Sequence, residues 1–536
     1  MRLVLWGAAA CSAWAAWCGV VVSPDTLDFG TLWIGQPRTQ SVVIANSGNA
    51  PLTLLGAEVR QWVWGGFSVS VAAPQVLEPG QSARVEVTAH FVHNLPCQGL
   101  LLLRLSCVEA EWTHPCLLQA YPQDPDTVYA HTDGLWGEAL RRSLQELVQQ
   151  QRVFPYDSAR HILFFEIDNR GGTVQCAYTG RSIRVPPMPS PTVFSVEHSW
   201  PRSYGSDTLP PLSDLHHLFP TLTEANERRS NLRFGRVRTV LWELGGSRYG
   251  LDSTGAEVFE PRDQHKGDAA RAVFYIALRY GNLSGWLTAP YEVLLRRWHA
   301  QDTVDEGERE RTRRIAYWQG RANPFVERPQ LLERIFRLGG SAAFPEVAQV
   351  LLSDTVLEYR GSEPSWELRL GILNVGWATA QLRAVELLQV PEGMVVRPRL
   401  LDSLIAPGTV GWVVLQAEAM GTPSGDVRVR LRFAAGVRPL ELRIRLAPTG
   451  VPESRSLPVG ETEELVLHWE GVAPCGAPRL TVFTVTGQAV VLEEALRCMP
   501  DGSLEARLQR QRLPRGFLLF GVEVGQRMLW TWRLNP

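Results

Sequence analysis

Short runs of alternating apolar and polar residues, broken at regular intervals by turn residues, occupy the chain up to about residue 122 and return after residue 345. Side chains two apart share a face only on a strand, so this alternation demands β-sheets with one face buried. The runs include Gln40-Ser-Val-Val-Ile-Ala45, a turn at Asn46-Ser-Gly-Asn49, Pro51-Leu-Thr-Leu-Leu55 and Ala83-Arg-Val-Glu-Val-Thr-Ala89. Beyond residue 345 they continue as Trp366-Glu-Leu-Arg-Leu-Gly-Ile-Leu373, Val410-Gly-Trp-Val-Val-Leu415 and Val427-Arg-Val-Arg-Leu-Arg-Phe433. The pattern predicts one β-sandwich over 20–122, a second over 345–448 and a smaller β segment over 456–536. A Pro/Asp linker, Tyr121-Pro-Gln-Asp-Pro-Asp126, closes the first sandwich. The stretch 128–340 mixes helical and strand patterns, beginning with a helix over 134–150 marked by Leu135, Leu140, Leu144, Leu147 and Val148. The chain is 45% hydrophobic and 20% charged, which excludes a disordered or fibrous polymer. Its net charge of −2 excludes a surface coated with cations for polyanions, and leaves a local basic site possible.

The first residues predict export. Met1 and Arg2 precede an apolar stretch from Leu3 to Trp14, and Ala13-Trp14-Ala15 supplies a small-residue cleavage site, the pattern of a signal peptide over 1–19. Extended through Val22 the stretch would reach a membrane anchor's length of roughly 20 residues, the competing reading. No later stretch is long and apolar enough to span a bilayer, so a mature chain without a membrane span, secreted or held at the cell surface, is expected. The eight cysteines show no Cys-x-x-Cys or Cys/His ligand spacing, which argues against zinc. Export would favour disulfides such as Cys107 with Cys116 or Cys475 with Cys498.

Residues able to do chemistry concentrate between Ser195 and Gly235: Ser195-Val-Glu-His-Ser-Trp-Pro201, Ser213-Asp-Leu-His-His-Leu-Phe-Pro220 and Glu224-Ala-Asn-Glu-Arg-Arg-Ser-Asn-Leu-Arg-Phe-Gly235. Glu197 and His198 place a hard oxygen ligand beside a base that is neutral near pH 7. Pro220 and Thr223 signal a helix start, with Thr223 as N-cap, and such a helix would bring the Asn226 carbonyl oxygen opposite Glu197. Glu and Asn oxygens suit Mg²⁺, with Ca²⁺ or Mn²⁺ as alternatives. His198 would take a proton from water while the cation stabilises charge on phosphate oxygens. Arg202, Arg229 and Arg271 are candidates to hold phosphate, each with an ion-paired or solvated role as the competing reading. Asp214 would orient an imidazole or cap a turn, and His216 and His217 would be packed supporting residues. The charged stretch 302–314 reads as a salt-bridged, solvated helix face, and Asp268 should pair with Arg271.

These blocks, with Gly134-Leu-Trp-Gly-Glu-Ala-Leu140, Lys266-Gly-Asp-Ala-Ala-Arg-Ala-Val-Phe-Tyr275 and Gln319-Gly-Arg-Ala-Asn-Pro-Phe325, resemble the bacterial endonuclease I family. The resemblance implies an α+β, ββα-metal nuclease domain over 128–340, so that with the all-β sandwiches on either side, expected to be Ig-like, the chain is multidomain. It implies metal-dependent hydrolysis of DNA, with RNA as a second candidate substrate, and 5′-phosphate products. It puts the general base on His198, the metal ligands on Glu197 and Asn226, and the Arg-Ser-Asn element on Arg229, Ser230 and Asn231. The chain departs from the family at His217, Lys266, Thr312, Ala322 and Glu327-Arg328. Val22-Ser-Pro-Asp-Thr-Leu-Asp-Phe-Gly30 and Val43-Ile-Ala-Asn-Ser-Gly-Asn-Ala-Pro-Leu52 resemble Ig-like modules of the abnormal-spindle and hydin type. The final segment, with Leu513-Pro-Arg-Gly516, is similar to the sorting module of type IX secretion cargo, implying that machinery as a partner. The rival function is a catalytically silent surface protein that binds through its sandwiches.

Overall fold

The computed structural model describes residues 19–339 and 348–446, apart from 63–64, 108–109, 354–355, 360–364, 421–424 and 435–436. Beyond these it describes strand backbone between Glu464 and Asn535. The expected signal peptide lies, up to residue 18, outside the described residues. The chain forms two compact units, one from 1–134 with 346–456 and the other from 135–345 with 457–536.

In the first unit each alternating stretch becomes two facing sheets. Val20–Ser23, Arg38–Asn46, Ser82–Ala89 and Phe67–Ser70 lie side by side in one, and Thr26–Trp33, Ala110–Gln123, Cys97–Cys107, Leu52–Gln61 and Gln75–Leu77 in the other. Their inward residues, among them Phe29, Ile44, Leu54, Val85, Leu103 and Leu118, fuse into one core. The later sandwich repeats the plan: Ile372, Leu382, Val413, Val429 and Ile444 fill the space between its sheets. Although far apart in sequence, the two sandwiches are packed together. Leu100 and Leu102 meet Leu373 and Val410, Arg60 donates to the Ser353 carbonyl at 2.6 Å, and Gln98 exchanges backbone and side-chain hydrogen bonds with Gly408 and Val410 at 2.9 Å each.

Cys97, Cys116 and Cys176 are free and buried, so the anticipated Cys107–Cys116 bridge is not formed. Cys107 is disulfide-bonded elsewhere. The small hydrophobic environment of Cys116, buried in the sandwich core, explains why it behaves as a core residue. Cys475 lies outside the described residues.

In the second unit the expected first helix runs Gly137–Gln149 and buries Leu140, Leu144 and Val148. At the centre lies Lys266–Tyr280, buried along nearly its whole length, including Arg271 and Arg279. Helices Ala289–Gln301 and Glu306–Gln319 belong to the same unit. The charged stretch is a mixed case: Arg313 and Arg314 pair with Glu310 at the surface, whereas Glu308 turns inward to Arg271 and Arg311 reaches Asp168. Strands Phe194–His198 and Leu218–Leu222 pair antiparallel, and the helix Thr223–Arg229 follows without a gap and packs back on them. The later part of this unit contains two antiparallel sheets, one of three strands and one of four.

Candidate active site

This strand pair and helix carry the candidate residues. Glu197 faces Phe219 and His198 faces Leu218 across the ladder. Pro220, which has no N–H, is tolerated because the sheet has only two strands and therefore two edges. Ser195 and Glu197, two residues apart on a strand, project from one face. Asn226 reaches that face: its amide nitrogen donates to Ser195 Oγ at 3.0 Å and to the Val196 carbonyl at 3.3 Å. Because the Val196 carbonyl can only accept, the amide orientation is fixed, and Asn226 Oδ1 has no donor among the described residues. Thr223 is not the expected N-cap. It is already the first helical residue, Leu222 occupies the cap position, and the Thr223 hydroxyl donates to Pro191 O at 2.7 Å.

Glu197 is buried, with Oε1 lacking a hydrogen bond and lying 3.1 Å from Arg229 Nη1. The Tyr178 hydroxyl also lies near the carboxylate without a hydrogen bond of ordinary geometry. Burial raises the Glu197 pKa to about 7, against the opposing pull of Arg229 and Tyr178. Glu197 Oε1, held by the Arg229 ion pair, and the Asn226 amide oxygen are hard oxygen donors of the kind that suits a divalent cation. Among the described residues no group of three or more His, Cys, Asp or Glu converges to hold a metal. A cation here would therefore rest on Glu197 and Asn226, with its other positions open to water and phosphate.

His198 is almost fully enclosed, and its Nε2 lies 3.0 Å from the Leu212 carbonyl. The carbonyl accepts, so Nε2 carries the proton and Nδ1 keeps the lone pair. Burial first, then the neighbouring His217, pushes the His198 pKa down to about 3, so the ring is neutral at physiological pH. His217 is oriented by the preceding carbonyl, its Nε2 lying 2.7 Å from Pro211 O, and its ring stands at 81° to the His198 ring with centroids 5.3 Å apart. Two consecutive carbonyls of the turn Pro211–Ser213 thus fix two imidazoles.

The remaining candidates separate into three groups. Arg202 is exposed on the turn just after the strand, and Asn231 is exposed with its amide 3.4 Å from Ser203 Oγ. Arg229 and Arg271, anticipated as phosphate ligands, are each 1% exposed and have their donors directed into the protein. Arg229 donates to the carbonyls of His198 at 3.0 Å and Ser199 at 2.7 Å, while Arg271 grips Glu308 through two hydrogen bonds. A guanidinium so engaged cannot reach a phosphate without breaking the packing that holds it, and both become internal ties. Asp214 and His216 form the third group. Asp214 accepts from His216 N, Arg279, Tyr280 and Gln319, and His216 Nε2 bonds Arg321 O, so both anchor the Leu215–His217 turn to neighbouring helices. Burial works against the Asp214 charge, but Arg279 heads the opposing contributions and holds its pKa below the usual value.

Three residues around His198 carried no signal in the sequence: Leu212 and Pro211, whose carbonyls hold the two imidazoles, and Tyr156, whose ring stacks on His198 with centroids 5.8 Å apart. Backbone carbonyls leave no signature in side-chain identity. Tyr156 stands well before the blocks and shows only as the first residue of a helix behind Pro155.

The Endonuclease I family model matches residues 156–330, which include this whole site. An extracellular ribonuclease of Bacillus subtilis (strain 168) is 31% identical over 235 residues, covering 40% of this chain and 79% of that protein. The chain belongs to the endonuclease I family. As a family member it is a nuclease, a hydrolase of phosphodiester bonds. An extracellular deoxyribonuclease of Aeromonas hydrophila is 35% identical over 115 residues, covering 22% of this chain and 49% of that protein. A periplasmic deoxyribonuclease of the same organism is 35% identical over 115 residues, 22% of this chain and 47% of that protein. The matched region of this endonuclease I family member is flanked by the β modules of both units. Among its described residues no helix is long and apolar enough to cross a membrane.

Proposed function

We propose that this chain is an exported endonuclease that hydrolyses DNA, with RNA as a second substrate, showing little sequence preference and requiring one divalent cation. The observation that supports this most is the hold of the Leu212 carbonyl on His198 Nε2, which makes Nδ1 of a neutral, enclosed imidazole the general base. In this reading Glu197 and Asn226 hold Mg²⁺, with Ca²⁺ or Mn²⁺ as substitutes. The cation, when bound, supplies positive charge against the phosphate oxygens. His198 Nδ1 takes a proton from the attacking water. Arg202 and Asn231, both exposed beside the strand end, orient the phosphate through hydrogen bonds. Arg229 keeps the carbonyls of His198 and Ser199 in place, and Asp214 and His216 support the turn behind them. Water attack in line with the 3′ oxygen leaves a 5′ phosphate.

The same proposal assigns 1–19 to a signal peptide, the two sandwiches to Ig-like modules and 456–536 to a sorting tail read by a type IX secretion machinery. Its extracellular and periplasmic relatives support export. Incubating the full chain with supercoiled plasmid, with Mg²⁺ and then with chelator, tests the activity. Relaxation and degradation that stop on chelation are expected; no cleavage under either condition would favour a silent, binding protein.

A further inference from the structure

His198 is restrained from three directions. Its Nε2 meets Leu212 O at 3.0 Å, the His217 ring stands roughly perpendicular to it at 81° with centroids 5.3 Å apart, and the Tyr156 ring stacks on it at 25° with centroids 5.8 Å apart. The first two restraints come from the segment that carries the other candidate residues. The third comes from the start of a separate helix, Tyr156–Ile162. One hydrogen bond to an imidazole leaves the ring free to rock about that bond, so Nδ1 is not aimed by Leu212 alone. A stacked neighbour removes this freedom, and the spacing falls within the roughly 4.5–7 Å range of aromatic pairs. Tyr156 is half-buried, and its hydroxyl forms no hydrogen bond among the described residues, so the fold engages the ring and leaves the phenol unused.

We propose that Tyr156 is a positioning residue: its ring, stacked on His198, holds the imidazole in the plane and tautomer that point Nδ1 at the attacking water. The inference rests on His198 being the base. Tyr156→Phe keeps the stack and Tyr156→Leu removes it while retaining apolar bulk. With plasmid and Mg²⁺, the Phe variant should keep kcat within about twofold, and the Leu variant should lose roughly 10- to 100-fold in kcat at nearly unchanged KM, the scale of a misplaced reacting group. A second readout needs no activity. In the full chain labelled with ¹⁵N-histidine, with the His198 resonance assigned by comparison with His198→Ala, two-bond spectra should show a single Nε2–H tautomer in wild type and Phe, and an averaged pair in Leu.

A Leu variant with wild-type kcat, or with an unchanged single tautomer, overturns the proposal. So does a Phe variant as impaired as Leu, which would give the role to the hydroxyl. If Tyr156→Leu does not fold, Tyr156→Trp replaces it: a stacking ring should preserve both kcat and tautomer, and loss of either overturns the proposal. An inert wild type with the expected tautomer pattern would refute the nuclease mechanism while leaving the positioning of the ring intact.

Discussion

Glu197 and His198 are adjacent and buried, yet the fold spends their polar atoms in opposite ways. His198 has one nitrogen bound by a carbonyl, while Glu197 Oε1 has no hydrogen bond of ordinary geometry and lies 3.1 Å from a guanidinium. If these oxygens and that of Asn226 serve a cation, Glu197→Ala and Asn226→Ala should raise the Mg²⁺ concentration needed for half-maximal cleavage, with partial rescue at high Mg²⁺. A magnesium titration of initial rates checks this; an unchanged midpoint contradicts it. Arg229 makes the opposite kind of prediction. Its removal strands a buried carboxylate and two carbonyls, so Arg229→Ala should cost about 3–5 kcal/mol of stability, read from chemical denaturation. A phosphate ligand would instead raise KM and leave stability near wild type. His299 is buried, its Nδ1 has no hydrogen-bond partner among the described residues, and burial holds its pKa down to about 3. Below about pH 6.5 the unfolded chain protonates this imidazole and the folded chain does not, so stability is full above that pH and is lost as pH falls. Between pH 6 and 4, wild type should lose about 1.4 kcal/mol per pH unit more than His299→Gln, as followed by denaturant midpoints. Parallel curves would contradict this.

The elements show why the sequence was informative at some positions and silent at others. Strand alternation survives folding because one face of each sheet is buried, so the strands of both sandwiches could be anticipated, whereas Phe194–His198, buried at four of its five positions, carries no alternation to read. The return of Asn226 to the strand that carries Glu197 follows from a short helix directly after a strand having little freedom in where it packs, and its amide bonds Ser195 and Val196 there. The Thr223 cap could not be placed: Leu222 takes the cap position, and a more distant carbonyl, that of Pro191, claims the hydroxyl. Arginine roles were equally hidden. Arg202, Arg229 and Arg271 look alike in sequence, and only burial separates an exposed cation from two internal ties. Long-range pairs such as Arg271–Glu308 depend on tertiary packing, which local pattern does not encode.

At the scale of the molecule, the nuclease segment is inserted between two sandwiches that share apolar and hydrogen-bonded contacts. Separate polypeptides of 19–134 and 346–446 should therefore associate when refolded together, and co-elution on gel filtration tests this; independent elution would make the contact dispensable. A fragment of 124–344 contains every proposed catalytic residue and should fold and cut DNA, whereas a folded but inert fragment beside an active full chain would show that the flanking modules contribute to the site. The central claim is that chemistry resides in this inserted domain and is driven by His198. Its most direct test is single-turnover cleavage at saturating Mg²⁺ by the intact chain and by His198→Ala. The account predicts a rate lowered by about 10²- to 10⁴-fold, with native fold and metal affinity retained; a correctly folded His198→Ala protein that cuts at the wild-type rate would contradict it.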